Sequence, residues 1–294
     1  MKFIRTALFA PGSNKRVMQK ALASGSDAVI LDLEDSVSLA DKETARHQVA
    51  QTIQEAVTTM GVKKPIIIVR VNATETGLLH DDVKAIAIDG LDLIMLPKAE
   101  TIEEIKVLSK WLDDIESKNS INRVELALQI ETALGIYRCF ELIKASNRVS
   151  MTCIGSARDG DLQNDLGCGW SIEGTELLYA RSKMLLDTRA AGNVLPLDGV
   201  FSDLGDDAGF LKDSVLSASL GYVGRTIIHP KQMDAVQDAY GINPRDVAYY
   251  KRVVKEFEEA EKLGIAAITI DSKLIDYAMY KQAKRILGIY ALEG

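Results

Sequence analysis

The chain has 294 residues, 47% of them hydrophobic and 26% charged, with a formal net charge of −7. That size suits one large barrel or two small domains, with ample material for a core. The acidic balance argues against a nucleic-acid surface, and no apolar run approaches the ~20 residues of a membrane span.

From the N-terminus, Arg5–Pro11 reads as a strand entered at once, without the apolar segment and cleavage site of a secretory signal. Short apolar runs recur at Ala28–Leu33, Ile66–Asn72, Leu93–Pro97, Glu125–Ile130, Val149–Gly155, Gly199–Ser202 and Val223–Ile228. Near-continuous apolar strands of this kind belong to parallel sheets covered by helices. Helical patterns separate them. Asp41–Val57 puts Ala45, Val49, Ile53 and Val57 on one stripe. Thr101–Ser117 opens with Thr101 and Glu104, a capping-box pattern. Glu173–Ala190 and Asp206–Leu220 also read as helices. Eight such units predict a (β/α)8 TIM barrel over residues 1–240. The first strand runs into Ala10-Pro11-Gly12-Ser13-Asn14 with no GxGxxG, which disfavours an open dinucleotide-binding sheet. Residues 241–294 predict a C-terminal helical extension. In it, Pro244–Leu263 is a charged amphipathic helix, Ala266–Ile270 a short strand and Tyr277–Tyr290 a last helix. Such a piece is expected to cover the barrel mouth or reach a neighbouring subunit. Cys139, Cys153 and Cys168 are odd in number and not closely paired, which points to packing roles in a reducing, cytoplasmic setting.

Barrel enzymes carry their chemistry on the loops that follow the strands. The predicted strand ends deliver Pro11-Gly12-Ser13, then Asp32-Leu33-Glu34-Asp35, Arg70-Val71-Asn72 and Pro97-Lys98. After these come Glu131, then Asp159 and Asp161, then Asp203, and last His229. Asp32, Glu34 and Asp35 crowd three charges into four residues and need a cation or basic partners. Glu131 closes an apolar strand, where a carboxylate is costly unless paired or metal-bound. A hard cation such as Mg2+, with Mn2+ as the alternative, takes one or two carboxylates and keeps waters for substrate oxygens. Glu131 and an aspartate of the next loop fit that pattern, with Glu34 and Asp35 holding the metal's waters. No HxxxH or Cys-rich cluster recommends zinc. Arg70 either grips a substrate carboxylate or forms an internal salt bridge to the acidic cluster. Lys98 could form a Schiff base, although an ion-pair or surface role sits better among so many carboxylates. Asp203 reads as a solvated loop residue at least as readily as a site residue.

At these positions the chain resembles a known family. Arg5–Ser13, Asp32–Val37, Val69–Asn72, Leu96–Lys98, Gln129–Thr132 and Glu173–Leu178 look, in order, like the citrate lyase β-subunit-like (CitE-like) branch of the HpcH/HpaI aldolase family. The likeness runs from Arg5 to about Ala283, and the ordered set is far more specific than any one motif. It implies a metal-dependent homotrimeric barrel that acts on citryl-, malyl- or citramalyl-type thioesters. Glu131 and Asp161 would be the metal ligands, Arg70 the grip on the keto-acid carboxylate, and Glu34 and Asp35 the residues that orient the metal's waters. Gly155 and Ser156 would join Arg70 in substrate binding. Lys273-Leu-Ile-Asp276 matches a segment whose aspartate reaches a neighbouring subunit's site, which makes Asp276 the acid/base. The strand-6 loop departs from the family's compact Gly-Ala-Glu-Asp and reads Gly155-Ser-Ala-Arg-Asp-Gly-Asp161. The downstream register favours Asp161 over Asp159 as ligand. The expected reaction is cleavage of a 3-hydroxy-3-carboxyacyl-CoA to an acyl-CoA and a 2-oxo acid, with citramalyl-CoA and pyruvate as first expectation. A malyl-CoA thioesterase or malate synthase-like enzyme and a carrier-dependent citrate lyase β subunit are the alternatives. Lys15, Arg16 and Lys231 are the candidates for holding CoA.

Overall fold

In the barrel strands, side chains at a period of two face alternately inward and outward. Ala28, Ile30, Ile66, Ile68, Met95 and Ala127 gather in one buried cluster. Their alternates Val29, Leu31, Ile67, Val69, Leu96 and Leu128 gather in a second, with helix residues. Two apolar faces per strand give the continuous runs seen in the sequence, and each buried Leu or Ile contributes about 1.5–3 kcal/mol.

The computed structural model describes residues 4–61, 64–241 and 244–293. In chain order come β1 (Thr6–Pro11), α1 (Lys15–Leu22), β2 (Ala28–Asp32), α2 (Lys42–Met60), β3 (Ile66–Arg70) and α3 (Leu79–Ile86). β4 (Leu93–Leu96), α4 (Ile102–Asn119), β5 (Glu125–Ile130), α5 (Ala133–Lys144), β6 (Val149–Ile154) and α6 (Asp161–Leu166) follow. The barrel unit ends with α7 (Leu178–Ala191), β7 (Leu195–Asp198), α8 (Asp207–Leu220), β8 (Gly224–Ile227) and α9 (Met233–Tyr240). The strands close in sequential order, and β1 pairs in parallel with both β2 and β8. This is a (β/α)8 TIM barrel, as the alternation predicts. At the start of α4, Thr101 and Glu104 make both bonds of the expected capping box.

Two barrel elements begin four or more residues away from their sequence reading. Helix α7 starts at Leu178 rather than Glu173. Gly174 sits at φ +67°, a left-handed conformation that helix cannot accommodate. Strand β7 is Leu195–Asp198, four residues before the predicted Gly199–Ser202. Pro196 argues against a central strand from sequence alone. In so short a strand it forfeits one donor, while its carbonyl still accepts from the Val223 N–H at 3.2 Å.

Contacts divide the chain into a unit spanning Ile4–Tyr240 and a second unit from Gly241 onward. The second unit contains α10 (Pro244–Glu261), β9 (Ile268–Ile270), β10 (Lys273–Ile275) and α11 (Tyr277–Glu293). The antiparallel β9–β10 hairpin turns through Asp271 and Ser272, both with positive φ (48° and 62°). Two-residue hairpin turns of the I′ type require that pair of conformations. Val253, Phe257, Ile270, Ile275, Tyr280 and Ala283 form its core, with the Phe257 and Tyr280 rings stacked at 4.8 Å. Among the described residues, no helix is long and apolar enough to cross a membrane.

Candidate active site at the barrel mouth

The inward register that buries Ala28 and Ile30 continues to Asp32. The same register carries Ile66 and Ile68 on to Arg70, and Ala127 on to Gln129 and then Glu131. The inward positions therefore turn polar together at the C-terminal ends of β2, β3 and β5. They border a cavity of about 500 Å³ that is also lined by Asp35, Gly155, Asp161, Val200 and Ile228, among others.

Asp32 and Arg70 are register partners across β2 and β3. Arg70 donates from Nε to Asp32 Oδ1 at 2.7 Å and from Nη2 to Oδ2 at 2.8 Å. Its Nη1 lies 3.0 Å from Glu34 Oε2, and the guanidinium sits 4.9 Å over the Phe9 ring. Burial pushes the Asp32 carboxyl up, but the charge and hydrogen bonds of Arg70 outweigh it and hold it below its ordinary value. Glu34, 5% exposed, is not among the cavity-lining side chains and ties Arg70 to Lys98 instead. Burial, with the charges of Glu131 and Asp35, pushes Glu34 up to about 7 against the opposing pull of Arg70.

Lys98 stands at φ 50° after β4. Its Nζ lies 3.4 Å from Glu34 Oε1 and 3.5 Å from Asp161 Oδ2, and its backbone N–H donates to Glu131 Oε1 at 3.1 Å. Burial lowers the ammonium's pKa, but the surrounding carboxylates outweigh it and raise it to about 12. These ion pairs fit a charge-partner role for Lys98. Gln129 was missed by sequence reasoning. Its Nε2 donates to Glu131 Oε2 at 2.5 Å. The signal was its place two residues before Glu131, on the same face of β5.

Glu131 is 4% exposed, and burial raises its pKa although Gln129 and Arg70 oppose it. Gly155 abuts it. A Cβ on Gly155 would stand 2.4 Å from Glu131 Cβ and 2.9 Å from Oε2, so only glycine leaves that carboxylate its space. Asp161, in the first turn of α6, lines the cavity. Asp159 is exposed, pairs with Arg158 at 3.7 Å and is not on the cavity wall. Five carboxylates (Asp32, Glu34, Asp35, Glu131 and Asp161) thus surround Arg70 and Lys98. Lys42 reaches the cluster through the carbonyls of Leu33 and Glu34. The excess is anionic, oxygen-only and partly buried, which suits a hard divalent cation. Among the described residues, no three His, Cys, Asp or Glu side chains group as a metal cage. Glu131 and Asp161 would leave most of such an ion's positions to water and substrate.

Residues 5–230 match the family model described as HpcH/HpaI aldolase/citrate lyase. The chain belongs to that family. It is 32% identical over 288 residues to the citrate lyase subunit beta of Leuconostoc mesenteroides subsp. cremoris, covering 97% of this chain and 92% of that one. With the L-malyl-CoA/beta-methylmalyl-CoA lyase of Cereibacter sphaeroides it is 33% identical over 304 residues, covering 96% and 93%. Among solved structures, it is similar to CitE from Mycobacterium tuberculosis in complex with magnesium, acetoacetate and coenzyme A. That likeness has a TM-score of 0.76 and 26% identity, and covers 98% of each chain. The relatives are lyases, and this family member is an enzyme of that class.

Other expected site residues lie elsewhere. Ser156 is buried, donates to Asp198 Oδ1 at 3.0 Å and is not among the cavity-lining residues. With β7 shifted, the acid at that strand's end is Asp198 rather than Asp203. Asp203 is an exposed loop residue that accepts from the Gly205 N–H. Asp198 is fully buried in a ring of charges. It pairs with Arg181, Arg181 reaches Asp213 at 3.0 Å, and Asp213 reaches Arg225 at 2.9 Å. His229 caps a short helical turn, accepting from the Lys231 N–H. Lys15 pairs with Glu55 at 2.6 Å and Lys231 with Asp207 at 2.8 Å, while Arg16 is exposed. Asp276 is exposed at the start of α11, where its Oδ1 accepts from the N–H groups of Ala278 and Met279.

Proposed function

We propose that this protein is a divalent-cation-dependent carbon–carbon lyase that cleaves a 3-hydroxy-3-carboxyacyl-CoA thioester to an acyl-CoA and a 2-oxo acid. The observation that carries the reading is the pair Glu131 and Asp161 on one cavity wall, with Gly155 keeping the space beside Glu131. The magnesium and coenzyme A of the similar CitE complex agree with it. Glu131 and Asp161 would hold the cation, most simply Mg2+, with Mn2+ able to replace it. When bound, the ion supplies Lewis acidity toward the substrate's hydroxyl and carboxylate oxygens.

The protein's own groups do the rest. Gln129 and the Lys98 N–H fix the Glu131 carboxylate in one orientation. Lys98 offsets negative charge between Glu34 and Asp161. Arg70 holds Asp32 and Glu34, and the N–H bonds it does not use there are available to a substrate carboxylate. Asp35, exposed on the wall, orients water, and Glu34 acts through Arg70 and Lys98. As the C–C bond breaks, the hydroxyl proton would pass to water held by Asp35, and Asp276 of a neighbouring subunit would protonate the departing thioester enolate, regaining its proton from solvent. A homotrimer is the assembly we propose. Tyr137 on α5 and Tyr179 and Leu186 on α7, each more than two-thirds exposed, supply apolar surface for it.

A panel of malyl-, methylmalyl-, citramalyl- and citryl-CoA, assayed with Mg2+ and with EDTA, tests the reading. Cleavage of at least one thioester, abolished by EDTA and restored by Mg2+, is the expected result. Activity that survives EDTA unchanged discards the metal role.

A further inference from the structure

The cavity has two unlike sectors around the barrel circumference. Strands β2, β3 and β5 and the loop after β6 contribute Asp32, Asp35, Arg70, Glu131 and Asp161. The remaining arc, from β6 through β7 and β8 to β1, contributes Cys153, Val200, Thr226, Ile228 and Phe9. Thr226 is the polar exception in that arc. Its hydroxyl already donates to the Asp198 carbonyl at 3.2 Å.

Three cations carried near this arc, Arg225, Arg158 and Lys231, are committed elsewhere. Arg225 is on β8 but fully buried, with its guanidinium on Asp213, Ser214 and the Gly199 carbonyl. Arg158 pairs with Asp159 and lies over the Trp170 ring. Lys231 pairs with Asp207. Among the described residues, the cation that lines the cavity is Arg70, already bidentate to Asp32.

Resting on the lyase reading above, we infer that the oxo-acid half of the substrate carries a single carboxylate and a hydrogen or small alkyl substituent. A 2-oxo monocarboxylic acid can place its carboxylate and carbonyl oxygens in the charged sector and its substituent against Val200, Cys153 and Ile228. A dicarboxylic oxo acid would press a second carboxylate either onto that apolar arc or among like charges. Against the apolar arc that carboxylate would give up water without gaining a partner, and in the charged sector it would compete with the first for the cation and Arg70. Selection then works by rejection, as a pocket discriminates through the unpaired charge it imposes on the wrong ligand.

The test uses the full-length protein with Mg2+. Citramalyl-CoA or malyl-CoA is expected to exceed citryl-CoA by at least about 100-fold in kcat/KM. Equal rates, or a preference for citryl-CoA, overturn the inference and leave the lyase reading intact. Cleavage of none sinks the lyase reading, and the inference is then judged on binding. At equal free Mg2+, pyruvate should protect against thermal unfolding at concentrations about tenfold below those needed for oxaloacetate. The reverse order overturns it. Ile228, 36% exposed, offers a gain-of-function arm. Ile228→Lys should narrow the citramalyl-to-citryl ratio at least about tenfold by supplying the missing cation. An unchanged ratio removes the apolar arc as the selecting wall.

Discussion

Gly155→Ala adds one methyl group where the structure has no room for it. The new Cβ would lie 2.4 Å from Glu131 Cβ, 3.3 Å from its Cα and 2.9 Å from Oε2. Ordinary carbon contacts are about 3.5–4.0 Å, so the ends of β5 and β6 must part by about 1 Å. Oε2 could swing away, but Glu131 Cβ and Cα are fixed to the backbone, and Gly155 is itself tied to Ile130 by a 3.0 Å backbone hydrogen bond. Overpacking of this kind destabilises by about 1–3 kcal/mol. A displacement near 1 Å at a positioned catalytic group lowers rate by about 100-fold. The expected variant is therefore folded, melts a few degrees lower, loses about 100-fold in kcat/KM and needs at least about tenfold more Mg2+ for half-maximal activity. Gly169→Ala, whose added Cβ meets nothing within 4 Å, is the control and should stay near wild type. A Gly155→Ala enzyme with wild-type kinetics and Mg2+ dependence would refute the placement of Glu131 at the reacting centre.

Asp161→Asn should lower kcat/KM at least about 100-fold and weaken Mg2+ activation, while Asp159→Asn stays within about twofold; a Mg2+ titration of both decides between them. Arg70→Ala strips partners from buried Asp32 and Glu34, and a urea melt should register a loss of about 3–5 kcal/mol along with a kcat/KM lower by more than about tenfold. Glu34 titrates near 7 in the fold against 4.5 unperturbed, so its stabilising contribution is complete below about 4.5 and is lost as pH rises through about 7. Glu34→Gln should flatten the decline in melting temperature of the metal-free protein across that window, and a slope equal to wild type would show that another group causes it. Asp276→Asn keeps a good helix cap, so the melting temperature should hold while kcat falls at least about tenfold.

The eight-strand barrel was legible because most strands are buried on both faces. Glu125–Ile130 could be bounded to the residue from its apolar run alone. Strand β7 was not, because Pro196 and Asp198 break the apolar signature, and the four-residue slip exchanged a buried ion-pair acid for an exposed loop acid. β10 escaped because three residues carry no periodicity. Its cue was the Asp271-Ser272 turn after Ile268–Ile270. Within the site, the inward carboxylates and the basic residues among them could be listed from strand ends, but not which carboxylate each cation takes. Arg70 and Asp32 meet through the register of β2 on β3, which neither strand's sequence states alone. Ser156 looked like a mouth residue by position, yet its hydroxyl is claimed by Asp198, a residue 42 positions away.

The ring of Asp198, Arg181, Asp213 and Arg225 has a bearing on how this barrel can change over time. Each member faces opposite charge inside a dry wall between β7, β8 and the helices outside them. Losing Arg181 takes the ion-pair partner from Asp198, and losing Asp213 takes it from Arg225, a step of about 3–5 kcal/mol that is a large fraction of a typical domain's stability. Lineages are therefore expected to replace these four positions jointly or to keep them all. Val200 and Ile228, which no ion pair restrains, can drift one at a time, so new substrate preferences can arise on a wall whose foundations stay fixed.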